Sequence, residues 1–206
     1  SEPFHEGGTY DLVSKALNVL GYHTLLLCMR GHGCAEGNSN TVTPHQNMED
    51  IFAGFAWFLG QPGVDITRLG AFGASYGAYL LASLAPSILD VRLLALRAPA
   101  LYPDKSRPRC WERSTQEAVD DPTLGDSIAL ASISKFTGDL LVVASELDED
   151  MPPAVAQSYQ QAAIKGHARS VRVRTLPGAG HTLHSEDREK FLELLSQWFK
   201  EHYPAA

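Results

Sequence analysis

The residues that could do chemistry begin with Ser75, in the run Gly-Ala-Ser-Tyr-Gly at residues 73–77. The residues before it are short and apolar like a buried strand, and those after it favour a helix. A Gly-x-Ser-x-Gly run between a strand and a helix is typical of a sharp turn that holds a nucleophilic serine above a sheet. Small residues at 73 and 77 would avoid a clash in that turn. The pattern predicts a nucleophile at Ser75, against the plainer alternative of a glycine-rich strand end.

A serine hydroxyl is a weak nucleophile at neutral pH and needs a base beside it. His181 follows Pro-Gly-Ala-Gly, directly after a predicted strand at 171–176. This places it at the edge of a parallel sheet where Ser75 is also expected and where ligands collect in such folds. The glycines allow the loop to approach the serine closely. His181 is therefore the predicted base, and His184 is the main alternative.

The base needs an acid that fixes its tautomer and stabilises its protonated form. Residues 145–152 read Ser-Glu-Leu-Asp-Glu-Asp-Met-Pro and follow a predicted strand at 140–145. Acidic runs are commonly solvated loops. This one comes after a strand that lies between those of the serine and the histidine, which favours a functional role. Asp148 is the predicted acid, with Asp150 as the alternative.

The elements that must position these residues alternate between strand-like and helix-like segments. Such alternation predicts an α/β fold, with a mostly parallel, doubly wound sheet flanked by helices, in one domain over 1–206. Residues 103–135 break the alternation and are predicted to form a small lid. The predicted helices are 11–20, 46–60, 153–165 and 185–203, and the predicted strands are 24–29, 68–72, 91–96, 140–145 and 171–176.

Composition narrows the class of protein. The 206 residues are 44% hydrophobic and 20% charged, which is ordinary for a globular chain. The net charge of −7 and the scattered basic residues do not favour nucleic-acid binding. No apolar run approaches the roughly 20 residues of a membrane span. No leader-like segment is visible, so the cytoplasm is the default expectation, and a mature secreted protein is the alternative. Three cysteines argue weakly against a disulfide framework, and Cys28 is expected to be a buried apolar residue.

Several motifs together resemble the α/β-hydrolase superfamily, especially its small serine esterases, monoacylglycerol-lipase-like enzymes and prolyl-oligopeptidase-like enzymes. The order Ser75, Asp148, His181 is the order of that superfamily. Residues 21–33, Gly-Tyr-His-Thr-Leu-Leu-Leu-Cys-Met-Arg-Gly-His-Gly, are similar to the family's stretch ending in Arg-Gly-His-Gly. Asp148 lies four residues before Pro152, as the family's acid does. His181 matches its Pro-Gly-Ala-Gly-His histidine.

The resemblance departs from the family pattern at the start of the chain. One oxyanion donor should be the backbone N–H of Tyr76, directly after the nucleophile. The second normally comes from a His-Gly loop, and the nearest equivalent position is Phe4, the predicted second donor. The family also places an interior strand between those predicted at 24–29 and 68–72. We therefore expect residues upstream of Ser1, another segment or another chain to fill that position.

The resemblance implies a serine hydrolase that cleaves carboxylic esters of small to medium acyl groups through an acyl-enzyme, with no cofactor or metal. A thioesterase, a peptidase or amidase, and a non-catalytic binding protein of the same fold are the alternatives. The expected partner is a small ester substrate, and the oligomeric state is left open. Trp111, in the predicted lid, is expected to line the acyl pocket, although plain packing is as common for such a residue.

Overall fold

The computed structural model describes residues 7–84, 90–103 and 127–203. From residue 44 onward helices and strands alternate as predicted, whereas no strand lies between the helices Thr9–Val19 and Pro44–Leu59. No helix among them is long and apolar enough to cross a membrane. The elements are α1 (Thr9–Val19), α2 (Pro44–Leu59), β1 (Gly70–Ala74), α3 (Tyr76–Leu84), β2 (Leu93–Arg97), α4 (Ile128–Ile133), β3 (Asp139–Ser145), α5 (Pro153–Lys165), β4 (Ser170–Leu176) and α6 (Ser185–His202).

The four strands form one parallel sheet in the order β1-β2-β3-β4. Ala74 of β1 pairs with Arg97 of β2, and Arg97 pairs with Val143 of β3. Because every strand runs in the same direction, all four carboxyl ends lie at one edge of the sheet. The loops that carry Ser75, Asp148 and His181 therefore leave the sheet on the same side.

Helices cover both faces of the sheet, so the predicted doubly wound arrangement is confirmed. The period of two along a strand sends alternate side chains to opposite faces. On β2, Leu94 and Leu96 pack in one hydrophobic cluster with α2, α3, α4 and α5. Leu93 and Ala95 pack in the other cluster, with α1 and α6. All five residues of β2 are buried, as a central strand of a parallel sheet requires.

The helices begin and end at local signals in the sequence. Thr43 and Gln46 form a reciprocal capping box at the start of α2, where each side chain accepts the other residue's backbone N–H. Pro44 occupies the first turn of that helix, where its missing N–H costs nothing. Helix α1 ends just before Gly21, which has a φ of +87°.

The strand predicted at 24–29 is wrong, because these residues form no β-ladder. An apolar extended segment becomes a strand only where a neighbouring strand pairs with its backbone. Here the segment is held by side chains instead: the Thr24 hydroxyl lies 2.6 Å from that of Ser14 and donates to Asn18 at 2.9 Å. In the described sheet β1 is an edge strand, paired with β2 only. The expected additional strand, which would lie between residues 24–29 and β1 and pair with both, stays a prediction.

Cys28 corrects a second expectation, since it forms a disulfide with Cys34 instead of acting as a buried apolar residue. The bridge closes the glycine-rich turn of residues 30–33, where Gly31 and Gly33 both have positive φ. Its two cysteines are six residues apart in the sequence, on either side of that turn. The turn is therefore covalently fixed at both ends.

The predicted lid falls mostly on residues 104–126, which lie outside the described ranges. The later part of the predicted segment forms α4, which packs against α3 and α5. Ala129 and Ile133 of α4 are fully buried in the core, and Phe136 is 2% exposed. The lid at 104–126 stays a prediction.

Candidate active site

Ser75 lies at the junction of β1 and α3 with a φ of +51°, the left-handed conformation that non-glycine residues rarely adopt. Its backbone is held on both sides. The Ser75 N–H donates to the Arg97 carbonyl at 2.9 Å, and the Ser75 carbonyl accepts from Ala78 and Ala100, both at 3.1 Å. These bonds retain a backbone conformation that would otherwise be unfavourable. The strained turn predicted from the sequence is present.

The side chains of Ser75, His181 and Asp148 form a continuous hydrogen-bonded row. Nδ1 of His181 lies 3.0 Å from each oxygen of Asp148, and Nε2 lies 3.1 Å from Oγ of Ser75. An ionised carboxylate only accepts hydrogen bonds, so Nδ1 must carry the ring proton of a neutral imidazole. Nε2 then presents its lone pair to the serine hydroxyl. The arrangement can remove a proton from Ser75.

Backbone hydrogen bonds fix the orientation of the Asp148 carboxylate. Its Oδ1 accepts the N–H groups of Asp150 at 3.1 Å and Met151 at 2.8 Å. The Asp148 side chain has no solvent exposure, whereas that of His181 is 24% exposed. Water therefore reaches the imidazole but does not compete for the carboxylate.

The acid loop after β3 and the histidine loop after β4 are joined directly. The Leu147 N–H donates to the Ala179 carbonyl at 2.8 Å, and the Gly178 N–H donates to the Glu146 carboxylate at 2.8 Å. Gly178 has a φ of +70°, which favours glycine at this bend. The two loops therefore form one unit that carries both Asp148 and His181.

The hydrogen-bonded row does not include the side chains of the two alternatives, His184 and Asp150. His184 is exposed and forms the N-cap of α6, and Asp150 is exposed and offers Asp148 its backbone N–H. Tyr76 is the first residue of α3, where backbone N–H groups have no partner within the helix. The Tyr76 N–H stays the predicted first oxyanion donor. Phe4 and Trp111 lie outside the described residues.

The side chain of Tyr76 anchors the start of α3 in the core. Its hydroxyl donates to Oδ1 of Asn47 at 2.9 Å, and its ring lies 5.3 Å from that of His32, measured between centroids. Burial raises the pKa of the Tyr76 hydroxyl and lowers the pKa of His32. Asn47 is fully buried and donates to the Arg30 carbonyl at 3.0 Å. The disulfide-closed turn thus contacts the residue that follows the nucleophile.

Arg97 is a site residue that reasoning from the sequence missed. It ends β2 and is only 6% exposed, and its Nη2 contacts the histidine loop and the end of β3. The available signal was its placement, because an arginine directly after Leu-Leu-Ala-Leu stands at the carboxyl end of an otherwise apolar strand. That edge is where Ser75 was already expected.

Among the described residues, Asp148, Asp150 and His181 bring possible metal-ligating atoms within 4.8 Å of one another. Nδ1 of His181 and both oxygens of Asp148 already bond to each other. A cation at this point would have to separate them. The cluster therefore belongs to the same hydrogen-bonded row, and it gives no independent argument for a metal.

Comparison with known proteins gives distant relatives. No family model matches the chain. An uncharacterised protein of Mycobacterium tuberculosis is 28% identical over 177 residues, which cover 82% of this chain and 56% of that protein. The chain therefore spans about half the length of this curated relative.

Two solved structures share the fold of this chain over most of its length. Est1E from Butyrivibrio proteoclasticus, with ferulic acid bound, has a TM-score of 0.72 at 20% identity and covers 97% of this chain and 83% of its own. A structure from LipS and LipT, two metagenome-derived lipolytic enzymes, has a TM-score of 0.74 at 16% identity and covers 94% of this chain and 88% of its own. At these identities the likeness shows a shared fold.

Proposed function

The chain has the α/β-hydrolase fold, and from this premise we propose that it is a serine hydrolase that cleaves carboxylic esters. The observation that carries the proposal is the row from Asp148 through His181 to Ser75, with separations of 3.0 and 3.1 Å. Both separations fall within the hydrogen-bonding reach that a nucleophile and its base require. Ser75 is the nucleophile, His181 the general base and acid, and Asp148 the residue that orients His181.

In the first half of the reaction, Oγ of Ser75 attacks the acyl carbon while its proton passes to Nε2 of His181. The resulting imidazolium is stabilised by Asp148, which stays ionised. The tetrahedral intermediate collapses as Nε2 returns the proton to the departing alkoxide. An alcohol leaves, and the acyl group remains bound to Ser75 as an ester.

In the second half, a water molecule takes the place of the alcohol. Nε2 of His181 accepts one of its protons as the water oxygen attacks the acyl carbon. Collapse of this intermediate breaks the bond to Ser75, and the proton on Nε2 returns to Oγ. The carboxylic acid is released and the enzyme is regenerated.

Negative charge develops on the carbonyl oxygen in both halves. The proposed donors are the backbone N–H groups of Tyr76 and Phe4. The Tyr76 N–H stands at the first turn of α3, where the helix dipole also favours negative charge. Losing one such donor costs about 10²–10³ in turnover. The assignment of Phe4 follows from the family resemblance alone.

We extend the proposal to acyl groups of small to medium size. The predicted lid is short, which suits such substrates better than bulk lipid. Est1E, a solved structure of the same fold, holds ferulic acid, a small carboxylic acid. The role of Trp111 in an acyl pocket and a cytoplasmic location stay predictions. The Cys28–Cys34 disulfide argues against the cytoplasm, since disulfides persist mainly in oxidising compartments.

A fluorophosphonate probe tests the nucleophile. We expect stoichiometric labelling of the wild-type protein at Ser75, seen by mass spectrometry of the labelled peptide. Ser75→Ala should abolish labelling. Ser158→Ala, which removes a hydroxyl that donates to a carbonyl within its own helix, is the matched control and should label fully. Folded wild-type protein that does not label would favour a non-catalytic role.

A substrate series tests the reaction class. We would compare p-nitrophenyl esters of increasing acyl length with a thioester and with peptide anilides. The proposal expects the highest kcat/KM on the shorter esters and little turnover of the anilides. Faster cleavage of anilides would instead identify a peptidase or amidase of the same fold.

A further inference from the structure

Arg97 is a buried arginine at the centre of the sheet's carboxyl edge. It is the last residue of β2, which pairs with β1 on one side and β3 on the other. Only 6% of its surface is exposed. Burying a guanidinium group costs free energy unless its N–H groups find acceptors. A charged side chain at this position therefore destabilises the fold unless hydrogen bonds compensate it. The acceptors of those bonds indicate which parts of the protein Arg97 holds in place.

Those hydrogen bonds reach two of the three loops of the candidate active site. Nη2 of Arg97 donates to the Gly180 carbonyl at 2.9 Å and to the Ser145 hydroxyl at 2.9 Å. Gly180 directly precedes His181, and Ser145 is the last residue of β3, where the acid loop begins. Two acceptors are the full capacity of one guanidinium NH₂ group. One side-chain nitrogen therefore fixes both loops relative to β2.

The main chain of Arg97 holds the third loop. Its carbonyl accepts the Ser75 N–H at 2.9 Å, which is one of the bonds that keep the serine in its left-handed conformation. The nucleophile, the acid loop and the histidine loop thus all bond to the same residue. A shift of Arg97 would change the distances among all three.

The histidine loop needs such a restraint because its own sequence is permissive. Residues 177–180 are Pro-Gly-Ala-Gly, and Gly178 has a positive φ with no atom near the position of a β-carbon. Glycines give a loop more accessible backbone conformations than other residues do. The bond from Arg97 to the Gly180 carbonyl removes part of that freedom one residue before the imidazole.

We propose that Arg97 is a positioning residue that sets the distance between His181 and Ser75 through the Gly180 carbonyl. The proposal rests on the proposed serine hydrolase function. In this role Arg97 acts through the Gly180 carbonyl and not on the reacting atoms. Displacement of a catalytic group by about 1 Å can lower a rate about 10²-fold. Removal of the guanidinium should therefore lower kcat and leave KM nearly unchanged.

The test compares Arg97→Met with Arg169→Met. Arg169 bonds to the buried Asp139 at the opposite end of β3, so its loss also removes one of the partners of a buried polar group. Both variants should unfold at lower temperature than the wild type. We expect kcat on a p-nitrophenyl ester to fall about 10²-fold in Arg97→Met, with KM within a factor of about three. Arg169→Met should keep the wild-type kcat.

Two rescue measurements separate positioning from general packing. Arg97→Lys keeps the cation but not the planar fork, so an intermediate kcat is expected. In Arg97→Ala, guanidinium ion at concentrations that leave the wild type folded should restore part of kcat. If Arg97→Met does not fold at the assay temperature, Arg97→Lys carries the comparison. A wild-type kcat in folded Arg97→Lys, with no guanidinium rescue of Arg97→Ala, would overturn the proposal.

A spectroscopic readout keeps the proposal distinct from the function it rests on. The Nδ1 proton of His181, held by Asp148, should give a downfield proton NMR signal. We expect it to shift or broaden in Arg97→Met and to stay in place in Arg169→Met. An unchanged signal and an unchanged rate of fluorophosphonate labelling in Arg97→Met would overturn the role of Arg97. Absence of labelling in the wild type would instead overturn the hydrolase proposal, whatever the signal shows.

Discussion

Gly73 and Gly77 flank the same serine, yet the space around them differs. A β-carbon at Gly73 would lie 2.8 Å from the Gly77 carbonyl oxygen and 2.9 Å from the Ala78 nitrogen, both backbone atoms that cannot move aside. At Gly77 the nearest atom is the Tyr10 hydroxyl at 3.5 Å, an ordinary contact. The predicted need for a small residue therefore holds strictly at 73, whereas a methyl group fits at 77.

This contrast gives a matched pair of variants. Gly73→Ala should force the elbow apart, with a loss of stability of about 1–3 kcal/mol and a large fall in Ser75 labelling. Gly77→Ala should label at close to the wild-type rate. Thermal unfolding and the rate of fluorophosphonate labelling measure the two effects. Equal behaviour of the two variants would contradict the steric explanation.

The acid can be identified in the same way. Asp148→Asn keeps the shape of the side chain but removes the charge and favours the wrong imidazole tautomer, so kcat should fall about 10⁴-fold. Asp150→Asn changes an exposed carboxylate and should alter kcat only slightly. Steady-state kinetics on a p-nitrophenyl ester, with circular dichroism as a check of folding, make the comparison. The reverse ranking would assign the acid to Asp150.

At the residue scale, the sequence predicted those site residues that a local motif identifies. Ser75, Asp148 and His181 each follow a predicted strand, and the structure brings their side chains together. Arg97 could not be assigned because its acceptors, on Ser145 and Gly180, lie 48 and 83 residues away along the chain. A hydrogen bond over such a separation leaves no periodicity or spacing in the sequence.

At the scale of elements, the turn closed by the Cys28–Cys34 disulfide supports the start of α3. His32 within this turn is 7% exposed and packs its ring against Tyr76. Asn47 links the Arg30 carbonyl to the Tyr76 hydroxyl. The turn therefore reaches the residue whose N–H is the proposed oxyanion donor.

Reduction of this disulfide should loosen that support. We expect dithiothreitol to lower the free energy of unfolding by about 2 kcal/mol, the size associated with a short closed loop, and to slow Ser75 labelling. A Cys28→Ser, Cys34→Ser double variant should show the same slower labelling without reductant and no further change with it. If reductant slows labelling in the double variant as well, the effect belongs to another part of the protein.

Residues 24–29 show what a sequence leaves undetermined about an element. The apolar run expresses a preference for an extended backbone, but a strand also needs a neighbour at hydrogen-bonding distance. Sequence pattern does not identify that neighbour. By contrast, the α2 capping box and Gly21 at the end of α1 lie within a few residues of the boundaries they set. Local sequence signals therefore predict where these helices begin and end, but they do not predict which strands pair.

For the whole molecule, the α/β-hydrolase fold expected from the motifs is confirmed. The free energy of unfolding of the protein should depend on pH through Asp139. Burial alone would raise the pKa of this carboxyl, but hydrogen bonds from Arg169 and Ser170 outweigh burial and hold the pKa below its usual range. The side chain is 3% exposed, so its charge is compensated mainly by these partners. The ionised form therefore favours the folded state.

Because the folded-state pKa lies below the unfolded value of about 4, this stabilisation is fully present above pH 4 and is lost as pH falls through the folded-state value. At pH 7, Asp139→Asn should lower the free energy of unfolding by about 1–3 kcal/mol. The difference from the wild type should shrink below pH 4. Urea unfolding at several pH values measures it. Glu201→Gln, at an exposed ion pair with Arg172, is the control and should have a smaller effect.

The sheet order β1-β2-β3-β4 is also the order of synthesis. In the described sheet, β2, β3 and β4 each pair with the strand that precedes them in the sequence. Ser75 emerges first and the loop with Asp148 later, but His181 follows the last strand of the sheet. Under the proposed function, a nascent chain that has emerged only as far as β3 therefore carries the proposed nucleophile but lacks the proposed base.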